Sequence, residues 1–159
     1  MEYLFSNRRD YFNRDRSIPE CAFCDALAKP DSFDNLIIYR GTENFVILNK
    51  YPYTSGHMMV VPNLHTSHVE DLNEAALTEM MLLSRRAIET LNHMYHPQGF
   101  NMGLNIGAAG GAGIAEHLHM HVVPRWSRDT NFITVLGNAR VLPESLQESY
   151  QQIKSAWFE

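Results

Sequence analysis

The stretch Glu116-His117-Leu118-His119-Met120-His121-Val122-Val123-Pro124-Arg125 sets three histidines at every second position, with Leu118, Met120 and Val122 alternating against them. Period two is the pattern of a β-strand, whose successive side chains leave opposite faces at a rise of about 3.3 Å per residue. It reads as a strand that shows three imidazoles on one face, neighbours about 6.5 Å apart, and an apolar edge to a core. Pro124 marks its end, since it brings no amide to a sheet. Imidazole is the side chain most readily tuned to nucleophile, acid, base or metal ligand near neutral pH. One such group is usually a satisfied core histidine, but three in a row are too much buried polarity for that reading.

Outward from this strand the chain is a short series of elements without repeats. Upstream lies the glycine-rich run Asn105-Ile106-Gly107-Ala108-Ala109-Gly110-Gly111-Ala112-Gly113-Ile114, which leads straight into the histidines. It matches no nucleotide-binding fingerprint, but its position aims amide donors at whatever the histidines hold. Residues 100–106 before it read as a strand, as do 36–40, 45–48 and 57–62, the first two joined by the hairpin loop Gly41-Thr42-Glu43-Asn44. Leu72, Ala76, Leu77, Met80, Met81, Leu83, Ala87, Ile88 and Leu91 keep helical spacing behind an Asn73 cap, predicting a helix over 73–95 with both methionines as core filler. A second helix starts near Pro143 with Leu146, Tyr150, Ile153 and Trp157 on one stripe, after a short β-like run at 132–136. Hairpin-linked strands with two segregated helices predict an α+β domain on an antiparallel sheet. It spans residues 20–159, behind an arm at 1–19.

Composition sets the outer bounds. The 159 residues are 45% hydrophobic, enough for one domain with a substantial core, and the net charge of -5 gives no global reason to bind nucleic acid. No apolar run approaches a membrane span, and the first residues lack the basic stretch and apolar core of a signal peptide, so the expected compartment is the cytoplasm. Both cysteines fall in Cys21-Ala22-Phe23-Cys24. That spacing reads as half of a metal site or a redox pair rather than a structural disulfide.

With these motifs in place, His117-Leu118-His119-Met120-His121-Val122-Val123 resembles the His-x-His-x-His-x-x signature, x being hydrophobic, of the histidine triad superfamily. The likeness extends in motif order through the Cys-x-x-Cys pair, Asn49, Gly56-His57, Val61-Pro62-Asn63-Leu64-His65 and Asn105-Ile106-Gly107. It implies a five-stranded antiparallel sheet, a dimer with one continuous larger sheet, and enzymes that transfer or hydrolyse nucleotides through a nucleotidyl-histidine.

By this resemblance His119 is the nucleophile on the α-phosphorus, and His121 binds the phosphate or bridging oxygen. Nucleophilicity requires one free ring nitrogen, so the other must donate, most simply to a backbone carbonyl. Asn105 matches the family asparagine near the phosphate, and Asn49 the position that binds the ribose hydroxyls. Ile38 and Phe45 are expected as walls for the base, and Trp126 as a stacking or capping ring. The same comparison completes a Cys₂His₂ zinc site from Cys21, Cys24, His65 and His117, with His68 or Glu116 as substitutes for His117. No organic cofactor is implied. His57, His93 and His96 are expected to be surface or helix-end histidines.

The sequence departs from the family's hydrolases at Gly113 and Ile114, where many of them carry Gln and Ser or Thr. That loss removes two hydrogen-bonding side chains that water-directed hydrolysis uses. With Arg125-Trp126 and Asp129-Thr130-Asn131-Phe132, it makes the chain similar to the diadenosine tetraphosphate phosphorylase branch, in which inorganic phosphate releases the nucleotide. The expected reaction is phosphorolysis of dinucleoside polyphosphates, against the alternatives of hydrolysis, phosphoramidate cleavage or non-catalytic nucleotide binding.

Overall fold

The fold is taken from a computed structural model, which describes residues 21–129 and 141–157 together with the backbone of Leu4–Phe5. In chain order the elements are β1 (Leu4–Phe5), α1 (Ala22–Ala28), β2 (Ile37–Arg40), β3 (Asn44–Leu48), β4 (Met58–Pro62), α2 (Glu74–Tyr95), β5 (Gly99–Leu104), β6 (Met120–Arg125), β7 (Val141–Leu142) and α3 (Leu146–Ala156). Strands β2 to β6 form one antiparallel sheet in the order β2-β3-β4-β6-β5, and β1 pairs separately with β7. The five-stranded sheet is the one expected. The helix count is not: a third helix, α1, begins just after Cys21 and carries Cys24, and β1–β7 adds a small ribbon. The run at 132–136 lies outside the described residues.

Strands β3 and β4 are buried along their whole length, as continuous apolar runs in the middle of a sheet must be. Their register sets Phe45 opposite Val61 and Ile47 opposite Met59, and Met59 in turn faces His121 on β6. Helix α2 packs on β3, β4 and β6 through a narrow line of Ala76, Met80, Leu83, Ala87 and Leu91. Leu77 and Met81, expected in the core, are instead 38% and 52% exposed. Each is one position on from a core residue, which rotates it about 100° around the helix and off the sheet.

Helix α2 begins where Asn73 accepts the Ala76 amide at 2.7 Å and ends at His96, which adopts a left-handed conformation just before Pro97. Its Glu79 carboxylate accepts the amides of Thr42, Glu43 and Asn44 at 2.7–2.8 Å, which clamps the β2–β3 turn onto the helix. At Gly41 a Cβ would lie 2.8 Å from the Asn44 carbonyl oxygen, so this clamped turn has no room for a side chain. Helix α3 opens on a capping box between Ser145 and Glu148 and buries Tyr150, Ile153 and Trp157 against β2 and α2.

Candidate active site and metal centre

Only the last of the three histidines lies within a paired strand. The β4–β6 ladder stops at Val60 opposite Met120, because β4 ends at Pro62 and the Leu118 amide donates instead to the Thr66 carbonyl at 2.8 Å. Residues 117–119 are thereby released from the pleat, and the three rings do not share one face as expected. His117 turns toward the cysteines, while the rings of His119 and His121 sit 4.9 Å apart at 74°.

His117 belongs to a compact cluster. Its Nδ1 lies 3.2 Å from Cys21 Sγ, 3.7 Å from Cys24 Sγ and 3.2 Å from His65 Nδ1, and Cys24 Sγ is 3.3 Å from His65 Nδ1. All four ligand atoms fall within 4.8 Å of one another. The four contacts of 3.2–3.7 Å are of the length of the edges of a tetrahedron about one ion with bonds of about 2.0–2.3 Å, and two thiolates with two imidazoles are the donor set of closed zinc sites. The other ring nitrogen, Nε2–H, donates to the Pro62 carbonyl at 2.9 Å, which orients the ring with Nδ1 inward. The residues present therefore fit zinc. His68 and Glu116 stay outside the cluster.

His119 is buried, with Nδ1–H donating to the His117 carbonyl at 2.8 Å. A carbonyl can only accept, so in the neutral ring the proton sits on Nδ1 and the Nε2 lone pair is left over. Burial holds its pKa below the ordinary histidine range, outweighing the carbonyl bond that favours protonation. His121 is pushed down to about 4, first by burial and then by His119 beside it. Burial thus favours the neutral form of both rings.

The histidine that sequence reasoning misplaced is His57. It is fully buried, at the foot of β4, with Nε2 2.9 Å from His121 Nδ1. Its own Nδ1 faces the Tyr53 amide at 3.1 Å and the Asn49 side-chain amide at 3.3 Å. A backbone N–H can only donate, so His57 carries its proton on Nε2 and donates from it to His121 Nδ1. His121 is in consequence held with Nε2–H turned outward. Position 57 opens a run that is otherwise wholly apolar, and a polar group buried there needs a partner; that was the available signal. Gly56, at φ +76, makes the turn into it, where a Cβ would meet Leu91 Cδ2 at 2.6 Å. His93 and His96 are exposed at the end of α2, as expected.

His119 and His121 open on a cavity of about 610 Å³ that is also lined by Asn49, Asn105, Gly113 and Ile114. Asn49 is partly committed elsewhere: Oδ1 accepts the Tyr51 amide at 3.0 Å while Nδ2 reaches His57, so it shapes the loop as well as the cavity. Ile38 and Phe45 do not line the cavity. Both are fully buried, and the apolar walls are Phe23, Ala26, Leu36, Ile47 and Met59. Phe45 shares the Ile47 face but lies two residues farther along β3, under the packed core. Trp126, just past the end of β6, is half-buried and is likewise not part of the wall.

In the glycine-rich loop, Gly107 and Gly111 take φ of +70 and +86, conformations that a side chain resists. The amides of Gly110, Gly111 and Ala112 bond back inside the loop. Those of Gly113 and Ile114 have no partner among the described residues, which leaves the end of the loop next to the histidines to supply donors.

The chain is similar to known proteins in sequence and in fold. The family model for the HIT domain matches residues 32–128. The chain is 42% identical over 124 residues to the AP-4-A phosphorylase of Mycobacterium tuberculosis, covering 78% of this chain and 64% of the relative, so it spans less than two thirds of that protein's length. It is 25% identical over 93 residues to the asymmetrical bis(5'-nucleosyl)-tetraphosphatase of Schizosaccharomyces pombe, covering 58% of this chain and 50% of that one. Among solved structures, a Zn-bound histidine triad family protein from Mycobacterium smegmatis superposes with a TM-score of 0.69 at 25% identity, over 87% of this chain and 94% of that one.

Proposed function

The chain belongs to the HIT domain family, and on that premise we propose that it is a nucleotidyl-transferring enzyme that cleaves dinucleoside polyphosphates, such as diadenosine tetraphosphate, by phosphorolysis. The observation that carries this reading is the paired tautomer lock: His119 is left with a free Nε2 lone pair and His121 with an outward Nε2–H, both on one cavity. A nucleophile and a proton-bearing partner are thus set side by side before substrate arrives.

In the first step His119 Nε2 attacks the α-phosphorus, a P–N bond forms, and the P–O bond to the bridging oxygen breaks. The departing nucleoside polyphosphate keeps that electron pair. His121 Nε2–H hydrogen-bonds the oxygen on which charge develops, acting as a neutral donor because its pKa is so low. The amides of Gly113 and Ile114, with Asn105, serve the non-bridging oxygens. In the second step an oxygen of inorganic phosphate attacks phosphorus, the P–N bond breaks, and His119 recovers its lone pair. Diadenosine tetraphosphate then yields ADP and ATP. Neither Gly113 nor Ile114 offers a side-chain group to direct water, which favours phosphate as acceptor.

Cys21, Cys24, His65 and His117 would hold a zinc ion, which as a closed four-ligand centre supplies rigidity to the segment that carries His119. A second copy of the chain would pair along β5, which has β6 on one side only and exposes Met102, with Ile106 exposed just past its end.

The test is cleavage of diadenosine tetraphosphate with labelled phosphate. Label in ADP establishes phosphorolysis, whereas unlabelled AMP and ATP would establish hydrolysis, the reading favoured by the similarity to a tetraphosphatase. His119→Ala abolishes turnover; a variant with near-normal cleavage would refute the mechanism.

A further inference from the structure

We propose that the end of the cavity beside Tyr53 seats the departing nucleoside polyphosphate and reads its nucleoside, an inference that rests on the function proposed above. Ring contacts run in succession from Phe23 through His119 and His121 to Tyr53. Phe23 lies 5.1 Å from His119, His119 4.9 Å from His121, and His121 6.0 Å from Tyr53 with the last two rings nearly parallel at 25°. Phe23 and Tyr53 both line the cavity, so it extends past the reactive pair at each end.

Displacement at phosphorus sets nucleophile and leaving oxygen roughly in line on opposite sides. With His119 attacking, the leaving oxygen points away from it and meets the Nε2–H of His121. The departing chain is therefore directed to the Tyr53 end, while the Phe23 end, walled by Ala26 and Leu36 as well, suits the base of the transferred nucleotide. Room exists for both, since about 610 Å³ is about twice the roughly 300 Å³ at which small-molecule sites begin.

The chemistry of the Tyr53 end matches a polyphosphate followed by a base. The loop after β3 brings Lys50, Tyr51 and Tyr53 to the wall together. The other lysine on the wall, Lys29, is paired with Asp25 at 2.6 Å, whereas Lys50 has no ion-pair partner among the described residues. Lys50 supplies the cation for the distal phosphates, and the phenol rings supply flat faces for a second base. The loop is preformed, because Asn49 and the Tyr53 amide are both fastened to His57.

The experiment uses three substrates that share a transferred adenylyl group and differ in what leaves: adenosine 5'-phosphoramidate, adenosine 5'-tetraphosphate and diadenosine tetraphosphate. For Lys50→Ala, kcat/KM for the two polyphosphates is expected to fall about tenfold relative to the phosphoramidate. For Tyr53→Leu, the value for diadenosine tetraphosphate is expected to fall about tenfold relative to adenosine tetraphosphate. Tyr51→Leu is the second probe should Tyr53→Leu not fold. If every substrate falls by one common factor, or the ratios do not move, the subsite is wrong while the function stands. A wild-type chain that cleaves none of the three overturns the function, and the subsite with it.

Discussion

Replacing His57 by Phe keeps a flat ring of similar volume in the core and deletes both nitrogens, which isolates the hydrogen bonds that set the His121 tautomer. Three contacts are lost: the donation to His121 Nδ1, and the acceptance from the Tyr53 amide and from Asn49. The Tyr53 amide is left beside an apolar ring, and an unsatisfied buried donor costs about 1–3 kcal/mol, with about 0.5–1.5 kcal/mol for each net hydrogen bond, so unfolding should become easier by about 2–4 kcal/mol. For catalysis the relevant loss is the single bond that keeps His121 with Nε2–H outward. At about 1.4 kcal/mol that bond corresponds to about a tenfold drop in kcat. KM is expected to rise as well, because the loop that brings Asn49 and Tyr53 to the cavity wall loses its fastening to His57. The pKa of His121 should stay low, because burial and His119, which depress it, both remain in the variant. Steady-state kinetics on diadenosine tetraphosphate with phosphate reads the first effect, and ¹⁵N-histidine NMR reads tautomer and pKa without needing turnover. A variant that retains wild-type kcat, or a wild-type spectrum showing His121 protonated on Nδ1, would refute the tautomer argument.

Other expectations follow from the same contacts. His121 has a depressed pKa in the fold, so its contribution is intact above pH 6.5 and is lost as pH falls toward about 4, when the unfolded chain takes up the proton first. At pH 5 the deficit from this group should be about 2 kcal/mol, and His121→Asn should lose that much less stability than wild type between pH 8 and pH 5 in urea titrations. Glu79→Gln turns an amide toward three backbone donors and should cost about 2–3 kcal/mol in the same assay; no change would mean that the turn holds without its clamp. Purified chain should contain one zinc by atomic absorption. Cys21→Ala should lose the ion and lower Tm by roughly 10 °C, and an unaltered metal content would dismiss the Cys₂His₂ assignment.

Much of the fold could be read locally because its elements obey one-dimensional rules. The strands at 45–48 and 58–62 are apolar runs long enough to be buried on both faces, and α2 has its cap and its stop within its own segment. The errors arose where a side chain's neighbours are distant in sequence. Met81 has helical spacing but only one flank of α2 meets the sheet. Phe45 and Ile47 have the same periodicity, and only the packing across β3 separates core from cavity wall. Helix α1 is too short for periodicity to reveal, and Trp126, expected as a stacking or capping ring, lies past the end of β6 and off the cavity wall.

The sequence by itself determined the chemistry available: a histidine row, a cysteine pair, a glycine-rich approach, and their order along an antiparallel sheet. The family resemblance implied a role for each histidine; what only the tertiary structure decided was how each ring is held. Alternation makes His117, His119 and His121 equivalent, and nothing in their spacing tells metal ligand from nucleophile. The β4–β6 ladder stops at Val60 opposite Met120, Cys21 and Cys24 take His117 aside, and the His117 carbonyl accepts from His119 Nδ1–H, which keeps that ring's proton on one nitrogen. His57, 64 residues before His121, fixes the other tautomer. A proton's position depends on donors and acceptors brought together by folding, so no local pattern could have assigned it.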